Sequence, residues 1–275
     1  MTDVIDGQTQ STDSVLRQLE GGVLTITLNR PEAANALRPD DRNELIRLFE
    51  EAGGDPDVRV VVLRANGRHF CAGADVLRVA GDRATKVKRV TGAMYTIMTG
   101  AQRLIASVLD CPKPVVSVVQ GAAAGIGAHL AYASDLVVVS ENAYFAESFV
   151  KRGLVVDGGG AYLLPRRIGM QRAKEMVFFG EKLSARDALD LGLVNRVVAV
   201  EELDSTTEEF TSRLAVAPTS SIALTKRLFN DSPDVDRTQS FVAEAMAQEI
   251  QGYSQDSKEG VQAFVEKRDA DYVGW

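Results

Sequence analysis

Cysteine is nearly absent. Cys71 and Cys111 are the only two in 275 residues, which excludes a disulfide framework and fits reduced thiols in a cytoplasmic protein. Basic charge is in deficit: the formal net charge is −7, with no long basic run, and sequence-independent nucleic-acid binding needs a basic face. No apolar run reaches the length of a membrane span. The opening MTDVIDGQTQSTDS lacks the basic start and apolar core of a signal peptide, and residues 1–13 read as a loose tail. Internal repeats, low-complexity tracts, metal-ligand clusters and Walker or dinucleotide glycine motifs are missing as well.

What is present is an apolar fraction of 45% with 25% charged residues, enough for a large core in one big domain or a main domain with an appendage. VLRQLE and VLTITLN alternate around Gly21-Gly22, the pattern of a β-hairpin. Residues 39–52 carry Leu45, Leu48 and Phe49 between charges, predicting an amphipathic helix closed by Gly53-Gly54. VRVVVLRA, PVVSVVQG and DLVVVSE are nearly continuous β-branched runs, which predict strands buried on both faces and hence parallel. A long helical stretch is expected over 83–109, and a turn running into a helix over 122–135. The fold class is α/β, with a core over 14–200. Beyond it, 201–275 reads as helical, broken by Pro218 and Pro233.

Three segments invite chemistry. RHFCAGADV (68–76) follows a buried strand; its small residues let a ligand approach the backbone, with a free N–H at Ala74, or else they make a tight turn that holds nothing. QGAAAGIGAHLA (120–131) follows the next buried strand and opens a helix, whose unpaired N–H groups suit a developing oxyanion; many such joints only pack closely. RGLVVDGGGAYLLPRRIG (152–169) sets Asp157 between valines and glycines. There it is either a desolvated base or the cap of a helix or turn starting at Gly158. His129 is either an acid/base group or a packed side chain. Cys71 has no His partner in sequence, so thiol catalysis is a poor fit. Phe264 and Lys267, one turn apart, read as a helix face with one packing and one solvated residue.

From residue 15 to 274 the chain resembles the crotonase (enoyl-CoA hydratase/isomerase) family. The resemblance is carried in order by LTITLNRPEAANAL, FCAGADV, QGAAAGIGAHLAYASDLVVVSENAYF, GLVVDGGGAYLLPRRIG, KLSARDALDLGLVNRVV and EGVQAFVEKRDADYVG. It implies a spiral of ββα units with a C-terminal helical region that builds homotrimers or hexamers. The implied substrate is an acyl-CoA thioester, coenzyme A entering as part of it and no separate cofactor being needed. By motif position the oxyanion hole is formed by the N–H groups of Ala74 and Ile126. Ala34, Ala36, Asp75, Val76 and Leu77 fall near the CoA, and Phe264 and Lys267 near the CoA nucleotide of a neighbouring subunit.

By the same resemblance, the two glutamates with which hydratases of this family position water fall at His129 and Phe149, with Glu147 off register. Asp157 matches the Asp of members that shift double bonds. Aromatic dehalogenases also need a nearby Trp, and the one tryptophan is Trp275. The expectation is therefore isomerisation, with Asp157 as the base and His129 as its catalytic neighbour. A hydratase using His129 or Glu147 and a non-catalytic acyl-CoA-binding protein are the alternatives.

Overall fold

The computed structural model describes residues 14–75 and 91–275. β1 (Val15–Glu20) and β2 (Val23–Leu28) form the expected antiparallel hairpin. Its turn glycines, Gly21 and Gly22, have φ of +55° and +82°, the left-handed backbone that a two-residue hairpin of the right twist requires. Helix α1 (Pro39–Gly54) carries the chain to β3 (Val60–Ala65), parallel to β2. The two glycines expected to close α1 lie inside its last turn.

Next come α2 (Gly92–Thr96), a π-helical turn (Ile97–Gln102), α3 (Arg103–Asp110) and β4 (Val115–Val119). β5 (Ala122–Ala124), α4 (Ile126–Ala133), β6 (Leu136–Ser140) and β7 (Tyr144–Ala146) follow. Then α5 (Gly160–Ile168), α6 (Met170–Phe179), β8 (Lys182–Ser184), α7 (Ala185–Asp190) and β9 (Arg196–Val198) complete the α/β part. The main sheet has six strands in the order β1-β2-β3-β4-β6-β9, and a second sheet runs β5-β7-β8.

Alternation explains the unbroken apolar runs. Val61, Leu63, Val115 and Val119 face a core with Leu45 and Phe49 of α1 and Leu104 and Val108 of α3. Val60, Val62, Val116 and Val118 turn the other way, against Leu203, Phe210 and Leu214 of α8 (Leu203–Ala215). A sheet covered on both faces has no polar side to show in its sequence.

Of the last helices, α9 (Thr219–Asp231), α10 (Arg237–Gly252) and α11 (Gln255–Glu266), the first is pinned to this core by polar contacts. Lys226 Nζ lies 2.8 Å from the Asp135 carboxylate and donates to the Val108 and Lys113 carbonyls. The Arg59 guanidinium donates to Thr219 Oγ1 and to the Ala217 and Val273 carbonyls. α10 has no buried residue and exposes Phe241, Met246 and Ile250. Both cysteines are free and buried. Among the described residues no helix is long and apolar enough to cross a membrane.

Candidate active site

The site is built on three backbone segments lying side by side. The Leu37 N–H donates to the Gly73 carbonyl (2.8 Å) and the Asp75 N–H to the Leu37 carbonyl (3.0 Å). On the other flank the Cys71 N–H reaches the Ala122 carbonyl, and the Ala124 N–H the Cys71 carbonyl, each at 2.9 Å. In a planar trans peptide the C=O and N–H point in opposite directions. The Gly73 carbonyl faces Leu37, so the Ala74 N–H faces the other way, toward the side where 122–124 run into α4.

That helix presents its N-terminus there. The Gly125 N–H is spent on the Ala146 carbonyl (3.0 Å), and the first helical amide to bond is that of His129, to the Gly125 carbonyl at 2.9 Å. The N–H groups of Ile126, Gly127 and Ala128 find no backbone acceptor among the described residues. Gly125 holds φ +51°, ψ −124°, a conformation open essentially to glycine alone. A Cβ on Gly127 would overlap the Cys71 carbonyl, so the helix packs directly on the segment carrying Ala74. The Ile126 side chain goes into the core at 4% exposure, leaving its amide as the group it can offer.

Asn35 anchors the outer segment, a role the sequence did not suggest. At φ +55° it accepts the Arg30 N–H and donates to the carbonyls of Asn66 and His69. Ala34 is also left-handed, and its carbonyl receives the Ala72 N–H. The Arg30 guanidinium bridges the Ala36 carbonyl and the Asp75 carboxylate. Val76 and Leu77 lie outside the described residues.

Asp157 is half-buried on the loop before α5. The capping expectation does not hold: the helix cap is Gly159, and Asp157 contributes its backbone carbonyl, which accepts the Gly160 N–H at 3.1 Å. Among the described residues its carboxylate makes no hydrogen bond. Burial raises its pKa above the ordinary carboxylate value, opposed by His129 and by Arg42 of α1. Arg42, also missed by sequence reading, lies against Gly100, and its Nε is buried without a hydrogen-bond partner among the described residues.

His129 is fully buried and its Nε2 lies 3.1 Å from Oε2 of Glu147, also fully buried. Sequence reading takes His129 and Glu147 separately and not as a pair, since 18 positions separate the two, on different elements. The Phe149 ring lies parallel to the imidazole, 5° between planes and 6.1 Å between centroids. Among the described residues, His129 Nδ1, Glu147 Oε1 and the Tyr132 hydroxyl are buried with no hydrogen-bond partner. Cys71 is no nucleophile, because burial pushes its thiol up to about 12 and the thiolate is the reactive form.

Phe264, on α11, is 85% exposed. Lys267, also exposed, stands just past the helix end with φ +54°; neither packs within the chain, contrary to the expectation of one packed residue. A surface cleft of about 400 Å³ between α1 and α3, lined by Glu50, Arg103, Ser107 and Asp110, includes none of the residues above.

The family profile described as enoyl-CoA hydratase/isomerase matches residues 18–274. The chain is 34% identical over 264 residues to the 1,2-epoxyphenylacetyl-CoA isomerase of Escherichia coli K12, covering 94% of this chain and 98% of the relative. It is 31% identical over 259 residues to the short-chain-enoyl-CoA hydratase of Clostridium acetobutylicum, covering 93% and 96%. The crystal structure of an enoyl-CoA hydratase/isomerase from Cupriavidus metallidurans CH34 superposes with a TM-score of 0.89 at 32% identity, covering 97% of this chain and 98% of that one. The chain belongs to the enoyl-CoA hydratase/isomerase family.

Proposed function

We propose that the protein moves a double bond in an unsaturated acyl-CoA thioester. The thioester oxygen receives hydrogen bonds from the N–H groups of Ala74 and Ile126. They strengthen as the oxygen gains enolate charge, so they favour the transition state over the ground state, each by about 3 kcal/mol. Asp157 takes a proton from one carbon and returns it to another.

The observation that carries this reading is the state of the carboxylates. Asp157 is half-buried, its carboxylate makes no hydrogen bond among the described residues, and its pKa is raised by burial. The polar group on α4 is tied to Glu147 and covered by Phe149. One available base without a second group free to fix water suits isomerisation. The E. coli relative is named as an isomerase, which is in keeping. Asp157→Asn keeps the size and removes the base; turnover is expected to fall at least 10²-fold, the general contribution of such a base being about 10²–10⁴-fold, and unchanged turnover on every accepted substrate sinks the assignment.

A second reading is hydration, with His129 and Glu147 activating water. It is favoured by the unpartnered Nδ1 and Oε1 atoms of that pair and by the hydratase name of the C. acetobutylicum relative. Oxygen-18 from labelled water in a 3-hydroxyacyl product distinguishes it.

Coenzyme A enters as part of the substrate, near Ala34, Ala36 and Asp75 and, from a neighbouring subunit, near Phe264 and Lys267. The exposed Phe264 and the uncovered apolar residues of α10 are in keeping with a homotrimer or hexamer.

A further inference from the structure

We propose that Arg30 is a positioning residue for the oxyanion hole: its guanidinium ties the segment of Ala36 and Leu37 to that of Ala74 and Asp75 and so fixes the direction of the Ala74 N–H. The inference rests on the reading of Ala74 as a donor to the thioester oxygen.

The need for a clamp lies in the backbone. Gly73, just before Ala74, holds φ +108°, and a glycine leaves the peptide that follows it free to settle in more than one orientation. The Ala72 N–H bonds the Ala34 carbonyl at 2.9 Å, which holds only the stretch before the glycine. Beyond it two bonds orient the peptides on either side of Ala74: the Leu37 N–H to the Gly73 carbonyl at 2.8 Å, and the Asp75 N–H to the Leu37 carbonyl at 3.0 Å. Among the described residues Leu37 and Ala74 form an isolated parallel bridge, without the further ladder bonds that steady a strand.

Arg30 closes that bridge from the side. Nη1 donates to the Ala36 carbonyl at 2.8 Å, and Nη1 and Nη2 both donate to Oδ2 of Asp75 at 3.3 Å. One rigid, planar fork thus grips the residue before Leu37 and the residue after Ala74. The arginine is itself anchored: its N–H donates to Asn35 Oδ1 at 2.7 Å, and its carbonyl accepts the N–H groups of Ala33 and Asn35. Two further carboxylates attract the guanidinium, the buried Asp41 at 3.7 Å and the exposed Glu32 at 3.9 Å. The Arg30 and Asp75 side chains are only 19% and 17% exposed, so water and salt screen this pair less than a surface pair.

The test combines steady-state kinetics on enoyl-CoA thioesters with infrared spectra of a bound saturated acyl-CoA, carbon-13 labelled at the carbonyl, which has no double bond to move. For Arg30→Gln, kcat is expected to fall by about 10–10²-fold, the scale of a displaced reacting group, with KM changed less. Arg30→Lys keeps the charge without the fork and is expected to recover little. The carbonyl band on the wild type is expected below that of the free thioester, because the N–H donors polarise it, and Arg30→Gln is expected to lose part of that shift. A rise in KM at unchanged kcat, or full recovery by lysine, overturns the proposal. Should Arg30→Gln not fold, Asp75→Ala cuts one leg of the clamp and leaves the arginine in place; it is expected to show the same fall in kcat, and an unchanged kcat there overturns the proposal. The spectra separate the two failures. A band shifted equally on wild type and Arg30→Gln removes the clamp alone, whereas an unshifted band on the wild type removes the oxyanion reading and the clamp with it.

Discussion

The imidazole of His129 fills the space that a side chain on Gly160 would need: a Cβ there would lie 2.8 Å from Cε1 and would overlap Nε2. The three glycines after Asp157 thus have distinct reasons. Gly158 and Gly159 turn the chain at φ +56° and +91°, and Gly160 yields its volume to the histidine. Gly160→Ala is expected to destabilise by roughly 1–3 kcal/mol, the usual cost of overpacking. In a His129→Ala background part of that cost should vanish, the contact with Val156 Cγ2 remaining. Denaturant melts of the four proteins give the coupling, and an additive double variant contradicts the contact.

Asp157→Asn should raise stability near neutral pH while removing activity. Its folded pKa lies above the unfolded value because of burial. Between the two pKa values the folded state therefore binds more protons, and stability falls as pH rises through that window. Asn has no such term. Melting temperatures from pH 3 to 7 should show the variant gaining on the wild type as pH rises; a variant that loses ground points to a carboxylate stabilised by pairing.

Gly125→Ala tests the oxyanion hole, which has no side chain to remove. The backbone at φ +51°, ψ −124° must relax to accept a Cβ, turning the following Ile126 amide. A fall in kcat of about 10²-fold is expected, the scale of one lost donor, with KM changed less. Equal loss in KM alone means the amide serves binding rather than the transition state.

The sheet was legible because its strands are β-branched runs buried on both sides, and the first hairpin because Gly21-Gly22 interrupts a clear alternation. β5, β7 and β8 were not. Each has three residues, too few for a period, and β5 is all alanine. In the site, the small residues after the strands are a visible signal of close backbone approach, and the choice of Ala74 and Ile126 as donors comes from the family resemblance. Glu147 shows in the sequence only as an off-register glutamate, and Arg42 carries no signal, because their contacts come from tertiary neighbours on other elements. The Asp157 cap failed for a local reason: a left-handed Gly159 starts the helix, so no carboxylate is needed there.

Lys226→Met should cost on the order of 3 kcal/mol by leaving Asp135 buried without its cation. Lys226 is 8% exposed and 2.8 Å from that carboxylate. Urea melts check the value, and adding Asp135→Leu should recover part of it. A loss below about 0.5 kcal/mol, within the range of an exposed pair, contradicts the anchoring role.

Proton exchange tests the central claim most directly. Wild type and Asp157→Asn are incubated in heavy water with 2-enoyl-, 3-enoyl- and ring-acyl-CoA thioesters and followed by mass and NMR. Deuterium at the α or γ carbon with a displaced double bond, absent in the variant and without 3-hydroxyacyl product, is the expected result. A 3-hydroxyacyl product formed equally by both proteins contradicts it.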